Sequence, residues 1–273
     1  ALLQTKRRQA AVYGPLFVIV LLAAGVVGDF DLVLLFEGLP RVTEYLGRLM
    51  PVLRLESLGS DLASWYYAPG RWLRLLLETI LMAYLATLLG TAGALLLCFT
   101  ASRNLMSNAA LYFVTRRLLE IARTVPDLVY ALIFVFAFGL GALPGVLALA
   151  VHTMGASGKL FAELNENADL APFRAVRAAG GNWVKAIRLA ILPQMLPGFT
   201  TFTLWRFELN LRSATVIGFV GAGGIGQELF TAIRVQYYED VSAIVLMVLV
   251  TIGLVDVACG YLRQGLMERE SRI

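Results

Sequence analysis

Charge, histidine and cysteine are all scarce in this chain. Only 15% of its 273 residues are Asp, Glu, Lys or Arg, while 59% are hydrophobic; an ordinary soluble domain carries about 25% charged residues. So little polar surface cannot cover a globule of this size. The composition excludes a soluble domain and points to an all-α, polytopic membrane protein. The single histidine, His152, lies in an apolar run, which leaves no histidine set for a metal centre or a catalytic base. Cys98 and Cys259 also lie in apolar runs and read as packed free thiols. The Gly-x-x-x-x-Gly-Lys-Ser/Thr segment that cradles nucleotide phosphates is missing. If ATP powers the protein, ATP and its magnesium belong to another subunit. No nucleophile-base pair and no metal-ligand cluster occurs, so no catalytic residue, no metal and no bound cofactor is expected. The net charge of +4 is not gathered into a basic tract with interleaved aromatics, and nucleic acid is not an expected partner.

Apolar runs are what the chain has in quantity. Six of them, near 11–27, 72–100, 108–140, 142–161, 196–220 and 241–262, read as membrane spans. The first follows Lys6-Arg7-Arg8 and ends near Ala23-Ala24-Gly25, the ingredients of a secretory signal; an uncleaved first span is expected instead. Residues 1–71 are read as that span plus a periplasmic or interfacial segment, 72–262 as a transmembrane core, and 263–273 as a cytoplasmic tail. Asp29 and Asp31 stop the first run, and 39–50 is predicted as an interfacial helix. Trp65, Tyr66, Tyr67 and Trp72 read as an aromatic belt at the head groups, or as a contact for an extracytoplasmic partner. Six spans place both termini and the loop 163–193 on one side. Lys6, Lys159, Lys185, Arg263, Arg269 and Arg272 all fall there, which makes that side cytoplasmic.

Within the third run, Arg116, Glu120 and Arg123 share a helix face, with Arg116 and Glu120 predicted to pair and Pro126 to bend the chain. Gly139, Gly141 and Pro144 predict a tight turn. Gly145, Gly155 and Gly158 permit close helix contact in the fourth span. The fifth run carries Arg206, Glu208, Asn210 and Arg212 near its centre. One charge there costs about 2.5–3.5 kcal/mol facing lipid, so these must face protein or a wet pathway. Glu208 and Arg212, four apart, are predicted to pair with each other. Thr203, Arg206, Asn210 and Ser213 form a second stripe, and Arg206 has no acid four residues away. It is the candidate to meet a translocated anion. Asp256 is the other acid at membrane depth, and an ion-coupled secondary transporter would use it or Glu208. The run Gly221-Ala222-Gly223-Gly224-Ile225-Gly226 fits a dinucleotide fingerprint, but no strand precedes it. It reads as a turn at the outer end of the fifth span, either a gate or a connection.

The stretch 169–193 is basic and too polar to span. Asp169 and Pro172 suit the start of a short helix, Gly180-Gly181 its end, and Asn182 the start of a second helix reaching Pro193. Arg174 and Arg177 share one face of the first helix, Phe173 and Val176 another. This stretch resembles the cytoplasmic coupling loop of the permeases of bacterial ABC importers, matching its pattern at Ala175, Gly180, Leu192 and Pro193. It departs at Arg174, Val176 and Ala190, where the family has Glu, Ala and Ile. The run from Thr203 to Leu229, TLWRFELNLRSATVIGFVGAGGIGQEL, resembles the phosphonate-type branch of those permeases. So do Arg123-Thr-Val-Pro-Asp127 and Ile191-Leu-Pro-Gln194. Methionine importer permeases share the Gly-Ala-Gly-Gly element but not the Arg-Phe-Glu-x-Asn-x-Arg core.

The resemblance implies a multi-pass bacterial inner-membrane permease for phosphonate or a related phosphorus oxyanion, working as a homodimer. It further implies a cytoplasmic ATPase dimer docked at Arg174, Ala175, Arg177, Gly180, Gly181, Leu192 and Pro193, and a periplasmic binding protein that delivers substrate. The pathway residues would be Arg206, Glu208, Asn210, Arg212 and Ser213, with Gly221, Gly223, Gly224 and Gly226 at the gate or turn. A permease for another small solute such as methionine, and a secondary transporter, are the alternatives.

Overall fold

The computed structural model describes residues 2–51, 54 and 56–270. The side chains of Arg7, Arg8 and Arg269, and the whole of Arg272, lie outside the described residues. The chain forms two units, Ala1–Pro51 and Val52–Ile273.

In the first unit, α1 (Leu2–Val27) contains the apolar window Gln9–Val27, long enough to cross a membrane. Asp29 takes a left-handed φ of +48° at the reversal, and Asp31 starts α2 (Leu32–Leu49) by accepting hydrogen bonds from the amides of Val33 (2.8 Å) and Leu34 (3.3 Å). The helix predicted for 39–50 therefore begins a full two turns earlier. Pro40 is tolerated inside it, and its carbonyl accepts the Thr43 hydroxyl at 2.8 Å.

In the second unit, α3 (Leu58–Trp65) leads to α4 (Pro69–Cys98), which packs most extensively against α7 (Ala142–Glu166). Their seam is built from small residues: Ala83, Ala86, Gly90 and Ala94 on α4, and Ala148 and Ala150 on α7, are buried. In lipid, where no hydrophobic force draws helices together, such residues let backbones approach and gain dispersion contacts. Between α4 and α7 runs a broken span. α5 (Ala109–Thr124), started by Asn108 accepting from the amides of Ala110 and Leu111, stops at Val125-Pro126, and α6 (Asp127–Phe138) leaves at 87°. The bend expected from Pro126 is thus a near right angle. The predicted Arg116–Glu120 pair does not form. Thr115, Leu119 and Ala122 bury one face of α5 on α7, which brings Arg116 to Glu166 at the end of α7 (2.9 Å) and leaves Glu120 to Arg117. Gly139 and Gly141 turn the chain into α7 with φ of +85° and +140°.

After α8 (Ala171–Ala178), α9 (Trp183–Ala186) passes through one π turn (Ile187–Ile191) into α10 (Leu192–Ile217). Pro193, predicted to end a helix, instead sits in the first turn of α10, where a missing N–H costs nothing. A 3-10 turn (Gly218–Val220) and the glycine turn lead to α11 (Gly224–Val235) and then α12 (Tyr238–Glu270). Among the described residues, four helices are long and apolar enough to cross a membrane, or six if the bent pairs 109–138 and 183–235 each count once. α11 was not expected. Its buried Ile225, Leu229 and Ala232 recur at helical spacing and pack on α4 and α12. The aromatic group has partners within the protein. Trp72 is fully buried, the Trp65 indole donates to the Glu239 carbonyl (3.0 Å) and the Ser242 hydroxyl (3.1 Å), and the Tyr67 hydroxyl donates to Asp240 (3.0 Å). The polar tips of Trp65 and Tyr67 find partners at the acidic start of α12. Cys98 and Cys259 are free and buried.

Candidate functional site

α10 places its charges on two faces. Toward α12, Glu208 meets Arg263 and Arg212 meets Asp256 at 2.5 Å. The predicted Glu208–Arg212 pair is therefore replaced by two cross-helix pairs. The helices run antiparallel, so the lower-numbered residue on α10 takes the higher-numbered one on α12. An in-helix pair would have left Asp256 and Arg263 without partners in a low-dielectric setting, a far costlier arrangement. Asp256, the other acid that ion coupling could use, is occupied by an arginine, as is Glu208.

Toward α7, Arg206 donates through Nε to the Thr153 hydroxyl (3.3 Å) and through Nη2 to Nδ1 of His152. Among the described residues no carboxylate lies within ion-pair distance of it. Arg206 is half-buried and fifteenth of the 26 residues of α10, near the middle of the helix. Asn210, one turn on, is fully buried. Its amide donates to the hydroxyls of Thr87 and Thr153, both at 2.9 Å, and so ties α10 to α4 and α7. Thr203 returns its hydroxyl to the Phe199 carbonyl, and Ser213 is half-buried. His152 and Thr153 were missed in the sequence. A lone histidine in an apolar run, opposite an arginine with no acid of its own, was the available signal.

The loop between α7 and α10 is a small built unit. Asp169 accepts from the Ala171 amide at 2.9 Å, and Gly180, at φ +83°, lets the Gly181 amide return to the Val176 carbonyl at 2.9 Å. Asn182 caps the next helix by accepting from the Lys185 amide at 2.8 Å. As expected, Arg174 and Arg177 are exposed while Phe173 and Val176 are half-buried. Ala175 and Pro193 are exposed, and Leu192 packs beside the cluster of Phe161 and Phe199. Trp183, which the sequence did not single out, and Gln194, named there only within the 191–194 resemblance, fix the loop to the body. The Trp183 indole donates to the Leu105 carbonyl (2.9 Å), and the Gln194 side chain accepts from the Asp169 amide (3.2 Å).

At the far end of α10, Gly221, Gly223 and Gly224 take φ of +85°, +83° and +72°. The Gly141 amide donates to the Gly221 carbonyl at 3.0 Å, locking this turn to the one between α6 and α7. Gly226 allows the chain to fold back, since a Cβ there would overlap the Thr215 carbonyl. The Ile225 amide is taken by the Thr79 hydroxyl of α4 at 2.9 Å.

Residues 86–268 match the family described as binding-protein-dependent transport system inner membrane component. The chain is 40% identical over 257 residues to the phosphite transport system permease protein PtxC of Stutzerimonas stutzeri, covering 94% of this chain and 89% of that one. It is 37% identical over 240 residues to the phosphate-import permease protein PhnE of Mycolicibacterium smegmatis, covering 88% of this chain and 43% of that one. A chain of the MetNI methionine ABC transporter, solved in an inward facing conformation, superposes with a TM-score of 0.63 over 73% of this chain and 98% of its own. At 19% identity that likeness is one of fold. The chain belongs to the binding-protein-dependent transport system inner membrane components, as a multi-pass permease of the phosphonate-type ABC importers.

Proposed function

We propose that this permease carries a phosphorus oxyanion, a phosphite, phosphonate or phosphate, through a pathway formed by two copies of the chain. A permease of this kind works with an ATPase and a substrate-binding protein. In this reading the ATPase dimer holds ATP and magnesium and docks on α8, where Arg174 and Arg177 point outward. Both termini and that loop are cytoplasmic, and the binding protein delivers substrate at the other side, where the turn at Gly221, Gly223, Gly224 and Gly226 lies. Transport proceeds by alternating access, with ATP binding and hydrolysis favouring two states in turn. The permease does no chemistry on its cargo.

The observation that carries the substrate class is Arg206. Other charges of the α10 core are neutralised by α12, but among the described residues this guanidinium is held by neutral acceptors alone. Its fork suits the oxygens of a phosphorus oxyanion. The named relatives, which handle phosphite and phosphate, support the same class. The test is ATP hydrolysis by the purified permease–ATPase assembly in proteoliposomes. Phosphite-loaded binding protein should raise it, and methionine should not; no response to any phosphorus oxyanion would remove the reading. Docking is tested separately: reversing both charges with Arg174→Glu and Arg177→Glu should abolish co-purification of the ATPase.

A further inference from the structure

The two charged segments around Arg123–Asp127 and Arg206 are far apart in the chain, and α7 brings them together. Gly155 lets α7 touch the last turn of α5: a Cβ there would lie 2.5 Å from the Arg123 amide nitrogen and 2.8 Å from the Leu119 carbonyl oxygen. His152, one turn earlier on α7, therefore sits beside the break. Its Nδ1 takes the hydrogen bond from Arg206, and the backbone of Arg123 is another polar group against the ring. A guanidinium has no acceptor, so in this contact Nδ1 is the acceptor, a role open to the neutral imidazole that carries its proton on Nε2. Asp127 stands at the start of α6, on the other side of the same break. It makes no ion pair with the arginine, and its carboxylate accepts from the Leu128 amide at 2.9 Å. Arg123 is exposed at the same break.

This arrangement fixes the direction of a membrane-embedded cation without cancelling it. An acid at position 152 would neutralise Arg206 and leave no charge for a ligand. A neutral acceptor holds the fork and keeps the whole charge available. We propose that the break between α5 and α6 is an oxyanion site within the membrane, with Arg206 the contacting residue and His152 a positioning residue that aims it from the broken span. This rests on the phosphorus-oxyanion reading above and adds to it the place of the site and the reason for a histidine.

The test uses the complete assembly with its binding protein in proteoliposomes, with phosphite as the probe. His152→Glu gives Arg206 an ion pair, so the heat resistance of the assembly should hold or rise. Phosphite uptake should fall about tenfold or more, the loss expected when a charge-assisted contact is removed. His152→Gln keeps a neutral acceptor and should stay within about threefold of the parent, well inside the loss of a single hydrogen bond. Uptake by His152→Glu equal to the parent's, or His152→Gln as poor as His152→Glu, would overturn the proposal. A second readout does not need uptake. Phosphite should raise the thermal midpoint of the parent and of His152→Gln but not of His152→Leu, and equal protection in all three would overturn it. If the parent itself takes up neither phosphite, phosphate nor methylphosphonate, it is the substrate reading that fails, before any variant is compared.

Discussion

The two faces of α10 put the same residue type to opposite uses. On the face toward α12, Arg212 and Glu208 are matched by Asp256 and Arg263, and the charges cancel. On the face toward α7, Arg206 is matched by a histidine and a threonine, and its charge remains. A matched charge in a membrane is a fastening, because removing either member strands the other. An arginine held by neutral acceptors contributes little to assembly and is available to a ligand. Counting charges in the span would treat all three residues alike; their partners separate them.

The comparison can be broken or sharpened by experiments ordered by their effect on stability. Arg263→Ala strands the buried carboxylate of Glu208 and should cost about 3–5 kcal/mol, read from thermal unfolding of the purified assembly. The double variant with Glu208→Leu should recover most of that loss, and failure to recover it would mean that the pair is not the fastening. Gly155→Val drives a side chain into the backbone of α5 and should cost about 1–3 kcal/mol by overpacking, with a parallel fall in phosphite uptake because the break moves. Asn210→Ala removes the donor shared by Thr87 and Thr153 and should cost about 0.6–1.7 kcal/mol, the range of interhelical hydrogen bonds in membranes. Arg206→Met should come last in stability, at about 0.6 kcal/mol, while phosphite uptake falls by about tenfold or more. A large stability loss with Arg206→Met would place it with the fastenings and erase the contrast.

How far the sequence could be read depended on the range of each interaction. The spans were legible because apolar length is a local property, and the caps at Asn182 and Gly180 were legible because they close within three to five residues. Both mistaken ion pairs, Arg116–Glu120 and Glu208–Arg212, share one cause. Helical spacing says which residues of one helix are neighbours, but it does not say what another helix brings to that face. Glu166 and Arg263 are each presented by a packed partner helix, and in the second case the same helix also brings Asp256 to Arg212. The same limit hid His152: its meaning depends on Arg206, 54 residues later, and on a contact that Gly155 makes possible. α11 is a different case. Ile225, Leu229 and Ala232 carry its period in the sequence, but they follow directly on glycines that read as a turn, and a period of three residues is short beside a span.

The single π turn at Ile187–Ile191 sets the angular phase between the loop and the membrane. A helix with one residue inserted carries everything before it round by roughly 100°, the rotation of one residue. Removing a residue such as Leu189 would let the rod close up as ordinary α-helix, with its spans and charges intact. The exposed arginines of α8 would then point to a different compass bearing. A docked motor would be gripping the correct lever at the wrong hour of the clock, so shortening this segment by one should uncouple ATP hydrolysis from uptake while leaving each part folded.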